Sequence, residues 1–262
     1  MYESDAEIAV GAAETGADII RSKFDGVLTH HPKVLHDFAT DADIEGEEAI
    51  RRFINGARPG DGILGEELVP TQSFTGRQWL VDPLCGTLNF AARTPLVAVN
   101  VARHDPRKRD VAAVADPFTG EVFWTDGASA RVRKAGSDQP LSPSGLSRLV
   151  DLNVDAPVNE VRGLVTVRLL SSATFREAFE PRVLSTSLAL TWVAAGRRAA
   201  FVTEGDLRDN VHFAAGIALC QAAGCVLTSL DGGPLGSARG GLVAASDSRT
   251  HLEIVEMIRG LA

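Results

Sequence analysis

The segment from Gln78 to Phe90 limits what this chain can fold into more than any other. Its apolar run Trp79-Leu80-Val81 ends on Asp82, after which Pro83 and Gly86 turn the chain ahead of Thr87. A strand that stops on an acid, a turn built on Pro and Gly, and a hydroxyl placed to cap a new helix together describe the end of a buried strand in an α/β protein. The turn gathers a carboxylate at Asp82, a free carbonyl at Leu84 and a hydroxyl at Thr87. Such a set of oxygens suits a hard cation, which keeps waters in reserve for a phosphate substrate.

Two further segments place acids and small residues at turns after apolar runs, Leu64-Gly65-Glu66-Glu67 and Val211-His212-Phe213-Ala214-Ala215-Gly216. Around them the pattern is mixed. Residues 6–24 have near-helical apolar spacing, and a second helix is expected from Asp43 to Asn55, ended by Arg58-Pro59-Gly60-Asp61-Gly62. Short strands are expected at Gly62–Gly65, Gln78–Val81, Val97–Ala102, Val111–Ala115 and Glu121–Trp124. The first half therefore reads as α+β. In the second half Leu164–Val167 reads as a strand, ahead of apolar runs at Leu188–Ala195 and Ala199–Thr203 and a helix at Phe213–Ala223. An α/β chain of two packed halves, 1–145 and 146–262, together forming one catalytic unit, is the expectation.

The 262 residues are enough to bury a large core. A net charge of -8 argues against a surface built to hold a nucleic-acid backbone and favours a small-molecule ligand. The polar start Met1–Glu7 is unlike a secretory signal, and no run approaches the roughly 18–20 apolar residues of a membrane span, so a cytoplasmic protein is expected. The three cysteines, Cys85, Cys220 and Cys225, do not suggest a disulfide framework.

Taken together, these segments resemble the inositol monophosphatase family. Trp79–Phe90 is similar to its W-x-x-D-P-x-D-G-T-x-N-F signature, Gly65-Glu66-Glu67 to its G-E-E, and Val211–Gly216 to its W-D-x-A-A-G. Thr40-Asp41 resembles its early T-D acid, and Ser185-Thr186-Ser187 its substrate turn. The resemblance implies a layered αβαβα fold and a Mg2+-dependent phosphomonoesterase ancestry. It also implies that Glu66, Asp82 and the Leu84 carbonyl hold a first metal, that Thr87 and Glu66 orient the attacking water, and that Asp41 is a third-metal acid. Gly86, Thr87, Ser185, Thr186 and Glu204 become the expected substrate contacts, and a homodimer is implied in the same way.

Two family acids are replaced, one by Cys85 and one by His212. In the family both hold the same ion, which implies that Cys85 and His212 lie roughly 3–5 Å apart. Three readings stay open at this stage. The second metal site has decayed in a protein that binds without turnover; or Zn2+ or another transition metal has replaced Mg2+; or no metal acts and His212 serves as base to a Cys85 nucleophile of acyl-transfer type, with the start of a helix lowering the thiol pKa. Asp209 is near enough in sequence to substitute for the lost acid. Cys220 and Cys225 read as packing residues, and His30-His31 as a solvated loop.

Overall fold

A computed structural model describes residues 4–33, 38–155, 164–205, 207, 210–237 and 240–261. The chain forms two compact units. The first comprises the chain up to Pro140 together with residues 186–188 and 211–219, and the second comprises 141–185, 189–210 and 220–262.

In the first unit α1 (Asp5–Lys23) leads to a short antiparallel pair, β1 (His30–Pro32) and β2 (Phe38–Thr40), and then to α2 (Asp41–Ala57). His30 and His31 are thus exposed strand residues rather than loop, and the His30 ring stacks on Phe38. Helix α2 starts where Thr40 caps it and the Asp43 side chain reaches back to the Thr40 N–H, a reciprocal box that satisfies two otherwise orphaned donors. A seven-stranded sheet follows: β3 (Gly62–Gly65), β4 (Gln78–Cys85), β5 (Ala98–His104), β6 (Val111–Ala115), β7 (Val122–Thr125), β8 (Ala130–Lys134) and β9 (Ser137–Pro140), in spatial order of sequence. Only β3 and β4 are parallel; the rest form an antiparallel meander. The short helix α3 (Thr87–Ala91) follows β4. Apolar faces of α1 and α2, with Ile8, Ile20, Ile50 and Ile54, meet Trp79, Val81, Val99 and Val101 of the sheet in one core.

The second unit holds a five-stranded mixed sheet ordered β11 (Glu180–Val183), β10 (Leu149–Leu152), β12 (Ala200–Thr203), β14 (Leu242–Ala245) and β13 (Val226–Thr228). Its helices are α4 (Val165–Ser171), α5 (Ala173–Ala178), α6 (Leu188–Ala194), α7 (Ala214–Ala223) and α8 (Ser248–Gly260), of which Leu188 and the residues of α7 up to Leu219 belong to the first unit. Leu164–Val167, expected as a strand, opens helix α4 instead. Its β-branched residues favour a strand locally, but the Glu204 carboxylate accepts from both the N–H and the hydroxyl of Thr166 and holds the first turn. Leu169, one turn on, is buried. Cys220 is buried and gives its thiol hydrogen to the Leu190 carbonyl. No helix among the described residues is long and apolar enough to cross a membrane.

Candidate functional site

The site is built on the end of β4. Pairing with β5 runs in register to Asp82 opposite Asn100, then slips before Cys85 meets Ala98. Pro83, which has no N–H to give the ladder, sits in this bulge, and bulges of this kind re-aim side chains beside functional sites. The Asp82 side chain is fully buried and accepts from the Leu84 N–H at 3.0 Å and from Asn100 Nδ2 at 3.3 Å.

Glu66 and Glu67 leave the end of β3 beside it. Their backbone is fixed by Glu47 of α2, whose buried carboxylate accepts from the N–H groups of Glu67 (2.7 Å) and Leu68 (3.2 Å) and from Arg51 Nε (2.7 Å). Gly65 must be glycine for this to fit, since a Cβ there would lie 1.9 Å from Glu47 Oε1. Lys33 reaches in from the chain after β1, its Nζ 2.9 Å from Glu66 and 2.6 Å from Glu67. Burial works against the ammonium, yet the two carboxylates hold Lys33 well above the usual lysine range.

Thr87 is the first residue of α3 rather than its cap; Gly86 takes the cap position with φ 110°, a left-handed value that favours glycine. The Thr87 hydroxyl lies 3.0 Å from Asp43 Oδ1 and 3.2 Å from the Leu84 carbonyl. It has one proton to give, and a carboxylate is the stronger acceptor. Asp43 therefore does two jobs, with Oδ2 closing the cap of α2 and Oδ1 orienting Thr87. Burial pushes the Asp43 carboxyl above its ordinary value.

His212 closes the site. Its Nδ1 lies 2.7 Å from Asp82 Oδ2 and 3.7 Å from Glu66 Oε2. Ligand atoms of Asp82, Cys85 and His212 all fall within 4.8 Å of one another. Burial pulls the imidazole down, but the Asp82 carboxylate lifts it to about 12, so it stands protonated. Asp82 resists the effect of burial and is held below its ordinary value by His212. Glu66 is pushed up to about 8 by burial and by the Asp82 charge. Cys85 departs from expectation. Burial and then Asp82 push its thiol up, and α3, only five residues long, does not offset them. The Ser187 N–H donates to Cys85 Sγ at 3.3 Å, while Ser187 Oγ donates to Asn100 Oδ1 at 2.9 Å.

The structure therefore brings Glu66, Asp82, Leu84, Cys85, Thr87 and His212 together, and adds Lys33, Asp43 and Asn100, which the sequence reading did not place in the site, and Ser187, which it named only within the expected substrate turn. The expected acid Asp41 is engaged elsewhere: its carboxylate takes the Thr29 N–H at 3.0 Å and Lys23 Nζ at 3.2 Å, so Asp43 replaces it as the acid of this segment that reaches the site. Thr186 Oγ1 accepts the Leu188 N–H at the start of α6. Ser185 and Glu204 lie in the second unit, Ser185 bonded to Asp155 and Glu204 committed to Thr166. Asp209 lies outside the described residues. The donors sort into two kinds. Glu66, Asp82 and the Leu84 carbonyl offer oxygen only and fit a hard cation such as Mg2+; the set of Asp82, Cys85 and His212 does not.

Comparison with known proteins identifies the family and the fold. The model of the inositol monophosphatase family matches residues 1–261. An inositol-1-monophosphatase of Caulobacter vibrioides is 33% identical over 99% of both chains. A histidinol-phosphatase of Mycobacterium tuberculosis is 35% identical over 47% of this chain and 48% of its own. The extragenic suppressor protein SuhB of Bartonella henselae superposes over 97% of both chains with a TM-score of 0.85 at 22% identity. With the layered α/β fold, the retained acids and a match over essentially its whole length, this chain belongs to the inositol monophosphatase family.

Proposed function

We propose that this protein is a metal-dependent phosphomonoesterase acting on a small phosphorylated alcohol. The observation that carries this reading is the intact Asp43–Thr87 pair beside Glu66 and Asp82. Glu66, Asp82 and the Leu84 carbonyl would hold Mg2+, which on binding would neutralise phosphoryl oxygens and acidify a bound water. Thr87 gives its proton to Asp43, so its oxygen is left to accept a hydrogen from water and aim that water's lone pair. Glu66, a half-buried carboxylate beside Asp82, would with Thr87 orient the attacking water and take up its proton once the cation has lowered the carboxyl's own affinity for one. Relatives named as an inositol-1-monophosphatase and a histidinol-phosphatase support a substrate among phosphate monoesters of small alcohols.

The test is release of inorganic phosphate from inositol-1-phosphate and histidinol phosphate, with and without Mg2+. Mg2+-dependent turnover that falls by about 10²-fold or more in Asp82→Asn supports the reading. Turnover that survives chelation and ends on thiol alkylation overturns it.

A specific observation favours one other reading, ligand binding without turnover. Lys33 and His212 place an ammonium and an imidazolium on the carboxylates that would hold metal. Tight binding of a phosphate monoester in chelator, with no hydrolysis at saturating Mg2+, would establish it.

A further inference from the structure

At the second metal position of the family fold the donors of this chain are a carboxylate, a thiol and an imidazole in place of the oxygen ligands that Mg2+ takes. We propose that Asp82, Cys85 and His212 bind a soft divalent cation of the Zn2+ class, supplying carboxylate, thiolate and imidazole and leaving a fourth position open.

Three observations support this. The ligand atoms already lie within 4.8 Å of one another, whereas donors around a tetrahedral Zn2+ sit roughly 3.3–3.7 Å apart, as bonds of about 2.0–2.3 Å require. Closing that set draws the donors inward by up to about 1 Å and opens the 2.7 Å contact between His212 and Asp82 slightly. The donor types follow, since thiolate with imidazole selects Zn2+ and its neighbours over Mg2+, and three protein ligands with one open position is the pattern of zinc sites that act on substrates. The outer layer is also built. Leu84 N–H and Asn100 Nδ2 hold the Asp82 oxygens, Ser187 N–H points at Cys85 Sγ, and Ser187 Oγ locks Asn100 in turn. Such partners fix ligand orientation and support a thiolate. On binding, the thiol proton and the proton on the ligating imidazole nitrogen pass to solvent.

The test uses the full chain, reduced and freed of metal, with no substrate present, so that a failure of the phosphatase reading leaves it untouched. Co2+ is added and absorption followed; Zn2+ affinity is then measured by calorimetry in millimolar Mg2+. The expected result is stoichiometric Co2+ uptake with an intense thiolate-to-cobalt band, bleached by Zn2+ and unaffected by Mg2+. Cys85→Asp should abolish the band and weaken Zn2+ binding by about 100-fold or more, and His212→Ala should weaken it comparably, while Cys225→Ala should change neither. Cys85→Ser serves as the near-isosteric control should the aspartate variant not fold, judged by its melting transition. Co2+ uptake without a thiolate band, a band that disappears with Cys225, or Zn2+ affinity unchanged in the folded Cys85 variant would each overturn the proposal.

Discussion

At the residue scale, Asp43 and Thr87 make the sharpest prediction. Asp43→Asn keeps an acceptor for the cap but weakens the pull on the Thr87 proton, so phosphate release should fall by about 10²-fold or more with the melting temperature little changed. Thr87→Ala should match it, and the double variant should cost no more than either single, as expected of groups that act as a unit. His212 gives a pH prediction. Asp82 raises its folded value above that of the unfolded chain, so the stability it contributes is fully present below pH about 6.5 and is lost as pH rises through about 12. In the metal-free protein its ring carbon signals should therefore stay at the protonated position in NMR spectra between about pH 5 and 9; titration near the free imidazole value would refute the Asp82 pairing. Asp43 had a signal in the sequence, since Thr40-Asp41-Ala42-Asp43 carries the spacing of a capping box. Asn100 had one too, as the polar residue within an otherwise apolar strand run. Lys33 had none, because a lone lysine in a polar stretch looks solvated until the fold brings it to Glu66 and Glu67.

At the element scale, the join between α2 and the end of β3 holds the acids in place. Glu47, buried and bonded to Arg51 and to two loop N–H groups, is the fixed point, and Glu47→Ala should cost about 3–5 kcal/mol by leaving the Arg51 charge without its carboxylate. Gly65→Ala should cost about 1–3 kcal/mol through overpacking against that carboxylate, read by chemical denaturation. Both should also raise the Mg2+ concentration needed for activity, since Glu66 and Glu67 hang from the same loop. The strands of the first unit were legible from short apolar runs between Gly, Pro and Asp. Leu164–Val167 was not, because its helix depends on the carboxylate of Glu204, 38 residues from Thr166 in the chain.

At the scale of the whole chain, the first unit recruits residues 186–188 and 211–219 from the far side of a linear boundary. A fragment ending at residue 145 lacks Ser187 and His212, so it should show neither phosphate release nor a thiolate–cobalt band even where it keeps helical circular dichroism. The net charge of -8 predicts a second outcome, that duplex DNA or RNA at physiological salt produces no shift in electrophoretic mobility.

The sequence by itself determined the class of fold, the order of the motifs and the identity of the changed ligands, because strand patterning, turn chemistry and the Asp-Pro turn are local properties of the chain. Only the tertiary structure decided which groups meet. It put Asp43 rather than Asp41 on Thr87, set Lys33 on two glutamates, and raised the Cys85 thiol where a helix start had been expected to lower it. Burial and Coulomb interactions act through space, and residues 33, 43, 82 and 212 share a charge environment that no window along the sequence contains.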